Sequence, residues 1–379
     1  MDANTVFKGL EGVIVSETKV GFVDGEAGRL VYRGFNIEEL VQHSSYEEVS
    51  YLLINGHLPT AGELKSYRDV LMKSSSLPGE VIDFIWDHSN KYPTSLLRTA
   101  VSLLGADDTR ADHIIDSDQR EIGVELVGKV PALVSSIRRA AEGGKYVKPS
   151  PDLSLAGNML YQSTGKKPDK SSERIMDVCL MLHADHGSNA STFSSLVTIS
   201  SLSDIYSALT SAIGTLKGPL HGGANEMALK LIMEVGKPEN VEKVIGGKLE
   251  KKEKIMGFGH RVYKVYDPRA RILKSFAREV TARNGKGQLF DTAQKIEDVM
   301  ISKLGTKGIF PNVDFYSGMV YDSLGFHPDM FTSLFAASRT SGWVARSLEY
   351  VSDNKLFRPR SSYVGERGPI PYIPIEERN

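Results

Sequence analysis

Apolar side chains recur every three or four residues along most of this sequence, which is the spacing of one face of an α-helix. The segment 44–55 carries Val49, Leu52 and Leu53 on one such face, and Gly56 follows its last residue. A glycine directly after a periodic segment commonly ends a helix, so the sequence predicts a helix over 44–55. Two more segments of this kind are 291–304 and 331–351, and the second also carries Arg339 and Arg346.

A further helix start is marked by the segment 60–63, in which a threonine is followed three residues later by a glutamate. This spacing is that of a capping box, in which each side chain accepts a backbone N–H at the helix start. Leu64, Tyr67, Val70 and Leu71 then fall on one side of the predicted helix. We expect that side to face the core.

Regions outside the helical pattern are short. Two β-branched runs, at 13–15 and 30–32, predict small strands or a hairpin near the start of the sequence. Strands do not alternate with helices, which argues against a parallel α/β sheet. From Arg358 onward four prolines stand among turn-forming residues and predict an extended arm. Such an arm either wraps its own domain or reaches a second subunit.

The composition is that of an ordinary globular protein, with 379 residues, 41% of them hydrophobic and 25% charged. This length allows one large domain or two unequal ones. Lys and Arg number 46 and Asp and Glu 47, a balance that argues against a general nucleic-acid or anionic-membrane surface. No secretion signal pattern or apolar stretch of membrane-spanning length is visible, so we expect a cytoplasmic protein.

Three glycine-flanked segments hold the candidate chemistry: 218–225 contains His221, 257–261 contains His260 and 311–318 contains Asp314. A carboxylate held this way can act as a general base, and a neutral imidazole can donate a hydrogen bond to a developing oxyanion. Each residue also has a purely structural alternative. A histidine can have its hydrogen bonds satisfied within a tight helix–helix contact, and an aspartate can cap a helix or pair with an arginine. The neighbouring cations Arg261, Lys264, Arg269 and Arg271 suit carboxylate or phosphate recognition, or form a solvated basic stretch.

Metal ligation is a weaker hypothesis. His183 and His186 stand three apart, where a helix would place them on one face, but the spacing of a zincin is absent. We predict no metal, with one of the two histidines binding substrate and the other packed in the core. The single cysteine, Cys179, lies in an apolar segment and is expected to be buried. Because the sequence has one cysteine, an internal disulfide and a zinc site built from several thiolates are excluded.

Together, these segments resemble the citrate synthase family. The resemblance covers nearly the whole chain and includes the early segments 9–13, 32–35 and 97–102. It implies an all-α fold, with a large helical domain formed by residues 1–217 and 325–379 and a smaller helical domain, 218–324, that closes over the active site. It also implies a transferase of the tricarboxylic acid cycle that works as a homodimer with shared active sites and binds neither nucleic acid nor a membrane.

The resemblance assigns each catalytic residue a role. Asp314 would take a proton from the methyl group of acetyl-CoA, His221 would hydrogen-bond the thioester oxygen, and His260 would polarise the ketone of oxaloacetate. Hydrolysis of citryl-CoA would then release citrate and CoA, with acetyl-CoA as co-substrate and no permanently bound cofactor. Oxaloacetate would be bound by His186, Arg269, Arg339 and Arg358, the last from the neighbouring subunit. CoA would be bound by Ile255, Met256, Gly257, Phe258, Gly259 and Lys264.

Three alternatives stay open at this point. A 2-methylcitrate synthase would share the same site and use propionyl-CoA, since one methylene changes selectivity only modestly. A catalytically silent protein would bind CoA or a dicarboxylate without turnover. A metal-dependent hydrolase would use His183 and His186.

Overall fold

The computed structural model describes residues 6–113 and 116–378, and these are overwhelmingly helical. The all-α prediction is confirmed. The helices are α1 (Ile37–His43), α2 (Tyr46–Asn55), α3 (Ala61–Ser74), α4 (Gly79–Asp87), α5 (Pro93–Ala106), α6 (Asp116–Ala141), α7 (Leu155–Thr164), α8 (Lys170–His183), α9 (Ala190–Ser200), α10 (Ile205–Leu216), α11 (Ala224–Val235), α12 (Val241–Glu250), α13 (Pro268–Arg283), α14 (Gly287–Leu304), α15 (Val313–Ser323) and α16 (Phe331–Ser352). No helix among the described residues is long and apolar enough to cross a membrane.

A small antiparallel sheet precedes the helices, with β1 (Gly21–Asp24), β2 (Arg29–Tyr32) and β3 (Phe35–Asn36) in that order. The predicted strand at 30–32 is confirmed, but the one at 13–15 is wrong: this run lies outside the sheet and Ile14 is 89% exposed. The partner of β2 is instead β1, because a four-residue turn joins them and fixes their register.

Local capping explains where the predicted helices begin and end. At α2, Ser45 and Glu48 form a capping box, and Gly56 adopts a left-handed φ of 87° just beyond the last turn. The predicted capping box of α3, between Thr60 and Glu63, is also present. The predicted core face of α3 is narrower than expected, because Val70 is 41% exposed.

The core is centred on α16, which is buried over most of its length and packs against α2, α6, α8, α9 and α10. The indole of Trp343 is fully enclosed there. Burial on all sides also encloses Arg339 and Arg346, and a charge in such a place needs a partner or a ligand. Cys179, on α8, is buried as predicted. Helices α11 to α15 form a second packed group, in which α15 lies between α11 and α13.

Residues 353–378, beyond α16, are extended and mostly exposed, as predicted, apart from one short turn at Ile375–Glu377. Phe357 holds the start of this arm by stacking on Tyr350, with ring centroids 5.0 Å apart. Farther along, the apolar side chains lie open to solvent: Tyr363, Val364, Ile370, Tyr372, Ile373 and Ile375. The described residues of this chain therefore do not cover the arm, which argues against the first of the two alternatives, that it wraps its own domain.

Candidate active site

Two of the three glycine-flanked segments are joined by backbone hydrogen bonds. Phe258 and Pro311 form an isolated antiparallel bridge, and the amide of Asn312 donates to the carbonyl of Gly257 over 2.9 Å. The Asn312 side-chain amide donates to the carbonyl of Gly259, also over 2.9 Å. Gly257 has a φ of 84°, and a Cβ there would lie 2.8 Å from the ring of Phe315. The backbone therefore holds together the two segments that contain His260 and Asp314.

The imidazole of His260 is fixed in one tautomer by the backbone. Its Nδ1 accepts the amide N–H groups of Val262 (2.9 Å) and Tyr263 (3.1 Å). A nitrogen that accepts carries no proton, so the proton of the neutral ring is on Nε2. Burial, together with the charge of Arg269, lowers the pKa of His260 to about 4. At neutral pH this ring is therefore an uncharged donor through Nε2.

His221 is a second donor of the same kind, held by Ser191. Its Nε2 accepts the backbone N–H of Ser191 (3.3 Å) and lies 2.8 Å from the Ser191 hydroxyl oxygen. The proton therefore resides on Nδ1. The Ser191 hydroxyl is itself fixed by the indole N–H of Trp343 (3.3 Å) and by Asn189 Oδ1 (2.8 Å). Burial lowers the pKa of His221 to about 4.

Asp314 lies in the first turn of α15, and neither structural alternative applies to it. Asn312 caps the helix, with its side-chain oxygen accepting the Asp314 amide N–H over 3.0 Å. The carboxylate that pairs with Arg269 is that of Asp267. No residue in the described chain donates a hydrogen bond to the Asp314 carboxylate. Burial raises its pKa to about 6, although Arg269 acts in the opposite direction. The side chain is left as an unpaired base.

Two buried arginines supply positive charge close to these groups. Arg269 donates to Asp267 through Nε (3.0 Å) and one terminal nitrogen (2.8 Å). Arg339 donates only through Nε, to the carbonyl oxygen of His183 over 2.6 Å. Its terminal nitrogens have no hydrogen-bond partner among the described residues. Burial lowers the pKa of Arg339 to about 10, although the charge of Asp185 acts in the opposite direction. An anion bound there would recover the cost of that burial.

His186 is brought into the same cluster. Its ring meets that of His260 edge-on at 5.1 Å between centroids, and its Nε2 lies 3.3 Å from the Tyr263 hydroxyl. Burial and the charges of Arg269 and Arg339 hold its pKa well below the usual range. The ring is therefore neutral at physiological pH.

The basis for a metal pair at His183 and His186 is wrong. Helix α8 ends at His183, so the two side chains do not share a helix face. His183 instead lies in the core, with Nδ1 2.9 Å from the Cys179 carbonyl oxygen and its ring against Phe335. No group of three or more metal-ligating side chains occurs among residues 6–113 and 116–378.

The structure does not place the other predicted binding residues within this cluster. Arg358 is exposed on the arm, and its guanidinium donates only to the neighbouring Pro359 carbonyl. Lys264 is also exposed, while Ile255 and Phe258 are buried and Met256 is half-buried. The residues that sequence reasoning missed are those that hold the candidate side chains, chiefly Ser191, Asn189, Trp343, Val262, Tyr263 and Asp267. Only Asp267 could have been found from the sequence, because it stands two positions before Arg269, its ion-pair partner.

Comparison with known proteins places this geometry in a family. Residues 9–360 match the family model for the citrate synthase C-terminal domain. The citrate synthase of Deinococcus radiodurans is 44% identical over 99% of this chain and all of its own, and citrate synthase 2 of Bacillus subtilis gives the same values. The crystal structure of citrate synthase from Pyrobaculum aerophilum is 41% identical and superposes with a TM-score of 0.94, covering 98% of this chain and 95% of its own.

The citrate synthase of Thermoplasma acidophilum, solved as a ternary complex with carboxymethyl coenzyme A and oxaloacetate, also gives a TM-score of 0.94. It is 37% identical and covers 99% of this chain and 100% of its own. Full-length similarity at this level, over both sequence and fold, confirms the resemblance drawn from the three glycine-flanked segments. The chain belongs to the citrate synthase family.

Proposed function

We propose that this family member, an enzyme of the acyltransferase type, condenses acetyl-CoA with oxaloacetate and water to give citrate and CoA. One observation carries the proposal: an unpaired carboxylate, Asp314, shares a site with two neutral imidazoles whose backbone contacts leave each with one fixed donor. Removing a proton from a methyl group beside a thioester requires a base and an oxyanion donor at the same time. That pair of functions is what His221 and Asp314 supply.

Oxaloacetate is a dianion, and the free terminal nitrogens of Arg339 suit one of its carboxylates. Arg269 keeps one terminal nitrogen outside its pair with Asp267, and His186 supplies a neutral polar contact beside it. The ketone oxygen then accepts the Nε2–H of His260, which draws electron density from the carbonyl carbon. Because this ring is uncharged, it stabilises the developing alkoxide without repelling the buried arginines.

The carbon–carbon bond forms in the next step. Asp314 takes a methyl proton from acetyl-CoA, and the Nδ1–H of His221 stabilises the enol or enolate oxygen. The new carbon nucleophile attacks the ketone carbon of oxaloacetate, giving citryl-CoA. Water then cleaves the thioester, releasing citrate and CoA. Acetyl-CoA acts as co-substrate, and no permanently bound cofactor enters these steps.

We assign the CoA adenine to the segment 255–259, because its glycines bring backbone close to the site and its end is pinned to Asn312. Lys264 is assigned to the CoA phosphates, since its exposed ammonium group is free to pair with a phosphate at the surface. We also propose that residues 218–324 are a small domain that closes over oxaloacetate, and that 1–217 with 325–379 form the large one. The preferential packing of α11 to α15 with each other supports this division.

Activity is expected to fall as the pH drops through about 6, since Asp314 acts as a base only when ionised and its pKa is raised to about 6. The histidines, with pKa values of about 4, stay neutral through that range and do not contribute to the loss. The acidic limb of kcat/KM for acetyl-CoA tests this, with thermal unfolding followed over the same pH values. A limb near 4, or none, would contradict the assignment of Asp314.

The proposed homodimer explains the exposed arm, because a second subunit would cover its apolar side chains and receive Arg358. Arg358→Ala is expected to raise KM for oxaloacetate. Mixed with a His260→Ala variant, it should recover activity, because one site of each mixed dimer then has both residues. Random mixing makes half of all dimers mixed, so about one quarter of wild-type activity is expected. No recovery after verified subunit exchange would mean that each chain builds its own site.

The proposed reaction is tested by incubating the protein with oxaloacetate and either acetyl-CoA or propionyl-CoA, and identifying the product by mass spectrometry. Citrate from acetyl-CoA, with a higher kcat/KM than for propionyl-CoA, supports the proposal. A preference for propionyl-CoA would identify a 2-methylcitrate synthase. Ligand binding with no product would indicate a silent binding protein, and activity lost on exhaustive chelation would indicate the metal-dependent alternative. Location in the cytoplasm stays a prediction from sequence.

A further inference from the structure

The turn between β1 and β2 lies directly against the loop that carries His260. The amide of Lys264 donates to the carbonyl of Gly25 over 3.0 Å, which joins two segments far apart in sequence. Gly28, at the other end of the turn, faces the side chain of Val265. Asp24 closes the turn itself by accepting the Ala27 amide over 2.8 Å. A small hairpin thus forms one wall behind the His260 loop.

Gly25 is required by this contact and not by its own backbone conformation. Its φ lies outside the left-handed region, so an alanine would fit the turn without backbone strain. A Cβ at this position would, however, lie 2.3 Å from the carbonyl oxygen of Val262 and 2.9 Å from its carbonyl carbon. Both are backbone atoms, so no side-chain rotation relieves the clash. The loop would have to move.

The peptide group that would move is one of those that fix the imidazole. The carbonyl of Val262 and the amide N–H of Tyr263 belong to the same planar unit. Its oxygen faces Gly25, and its N–H donates to Nδ1 of His260 over 3.1 Å. Displacing the oxygen therefore tilts the N–H away from the ring. The second donor to Nδ1, the Val262 amide, is one residue earlier in the same loop.

We propose that Gly25 is a positioning residue for His260: its lack of a side chain lets the hairpin hold the Val262–Tyr263 peptide, which fixes His260 with its proton on Nε2. The hairpin thereby sets the orientation of a donor formed by a distant part of the chain. The consequence for catalysis rests on the proposed function, in which that Nε2–H polarises the ketone.

The test compares Gly25→Ala with Glu26→Ala, a matched substitution in the same turn whose side chain is exposed. Nitrogen-15 spectra of histidine-labelled protein report the ring tautomer, with the His260 signals assigned by their loss in His260→Ala. We expect Nδ1 of His260 to show the shift of an unprotonated acceptor in the wild type and in Glu26→Ala. In Gly25→Ala we expect an averaged shift from mixed tautomers. An unchanged His260 spectrum in Gly25→Ala would overturn the proposal.

Kinetics separate positioning from general damage to the fold. Gly25→Ala is expected to lower kcat up to about 100-fold, the scale on which misplacement of a reacting group acts, while Glu26→Ala leaves it unchanged. In a His260→Ala background, Gly25→Ala should cause no further loss, because the group it positions is gone. An equal loss in both backgrounds would show a structural effect and refute positioning. If the wild type lacks turnover, the proposed function fails, and the tautomer spectra alone decide the role of Gly25.

Discussion

Replacing Asp314 by Asn is expected to abolish turnover while oxaloacetate still binds. The substitution keeps the size of the side chain and the cap on α15, which Asn312 provides, but it removes the carboxylate that we propose accepts the methyl proton. General-base catalysis contributes about 10²- to 10⁴-fold, so kcat should fall at least that far. Release of CoA thiol measures turnover, and calorimetric titration with oxaloacetate measures binding.

Asp291→Asn is the matched control, since Asp291 is an exposed carboxylate on α14. It should change neither kcat nor oxaloacetate affinity. If Asp314→Asn abolishes oxaloacetate binding as well as turnover, Asp314 supports the fold of the site and is not its base. If Asp314→Asn keeps wild-type kcat, the proposed proton transfer is wrong.

Arg339→Gln is expected to weaken oxaloacetate binding by at least about 30-fold. Removing one partner of a buried charge pair between protein and ligand costs about 2–5 kcal/mol of binding free energy. The terminal nitrogens of Arg339 have no hydrogen-bond partner in the described chain, so their hydrogen-bonding capacity is available to a bound carboxylate. The effect should appear in the Kd for oxaloacetate more than in the KM for acetyl-CoA.

Arg98→Gln, an exposed arginine on α5, controls for loss of positive charge elsewhere and should leave the Kd unchanged. Thermal unfolding of Arg339→Gln shows whether the variant is folded under the assay conditions. A folded Arg339→Gln protein with wild-type oxaloacetate affinity would contradict the role given to this residue. It would leave Arg269 and, in the proposed homodimer, Arg358 as the main sources of binding charge.

Much of the fold was predictable because it depends on local patterns. The capping pairs at Ser45 and Thr60 and the glycine end of α2 are set by residues within a few positions of each other. The failures have long-range causes. The run 13–15 does not pair with β2, because the turn after β1 sets the register of β2 against β1. Val70 is exposed because none of the described elements covers that side of α3.

The sequence draws attention to the candidate residues of the site, but it does not show which residues hold them in place. His221, His260 and Asp314 stand out because glycines and prolines flank them. Their supports do not, since Ser191 is 30 positions from His221 and acts partly through its backbone amide. No sequence pattern shows which imidazole nitrogen accepts a hydrogen bond. The tautomers that make both histidines donors became visible only with the fold. The same is true of the Asp314 carboxylate and the Arg339 terminal nitrogens, which have no hydrogen-bond partner among the described residues.

The most direct test of this account is the release of CoA thiol from acetyl-CoA by the purified protein, measured with and without oxaloacetate. The account predicts release only when oxaloacetate is present, because the carbon nucleophile needs the polarised ketone as its acceptor. No release with both substrates, from folded protein, would contradict the proposed condensation. Equal release without oxaloacetate would show a simple thioester hydrolase, and the roles given to His260 and the buried arginines would have to be withdrawn.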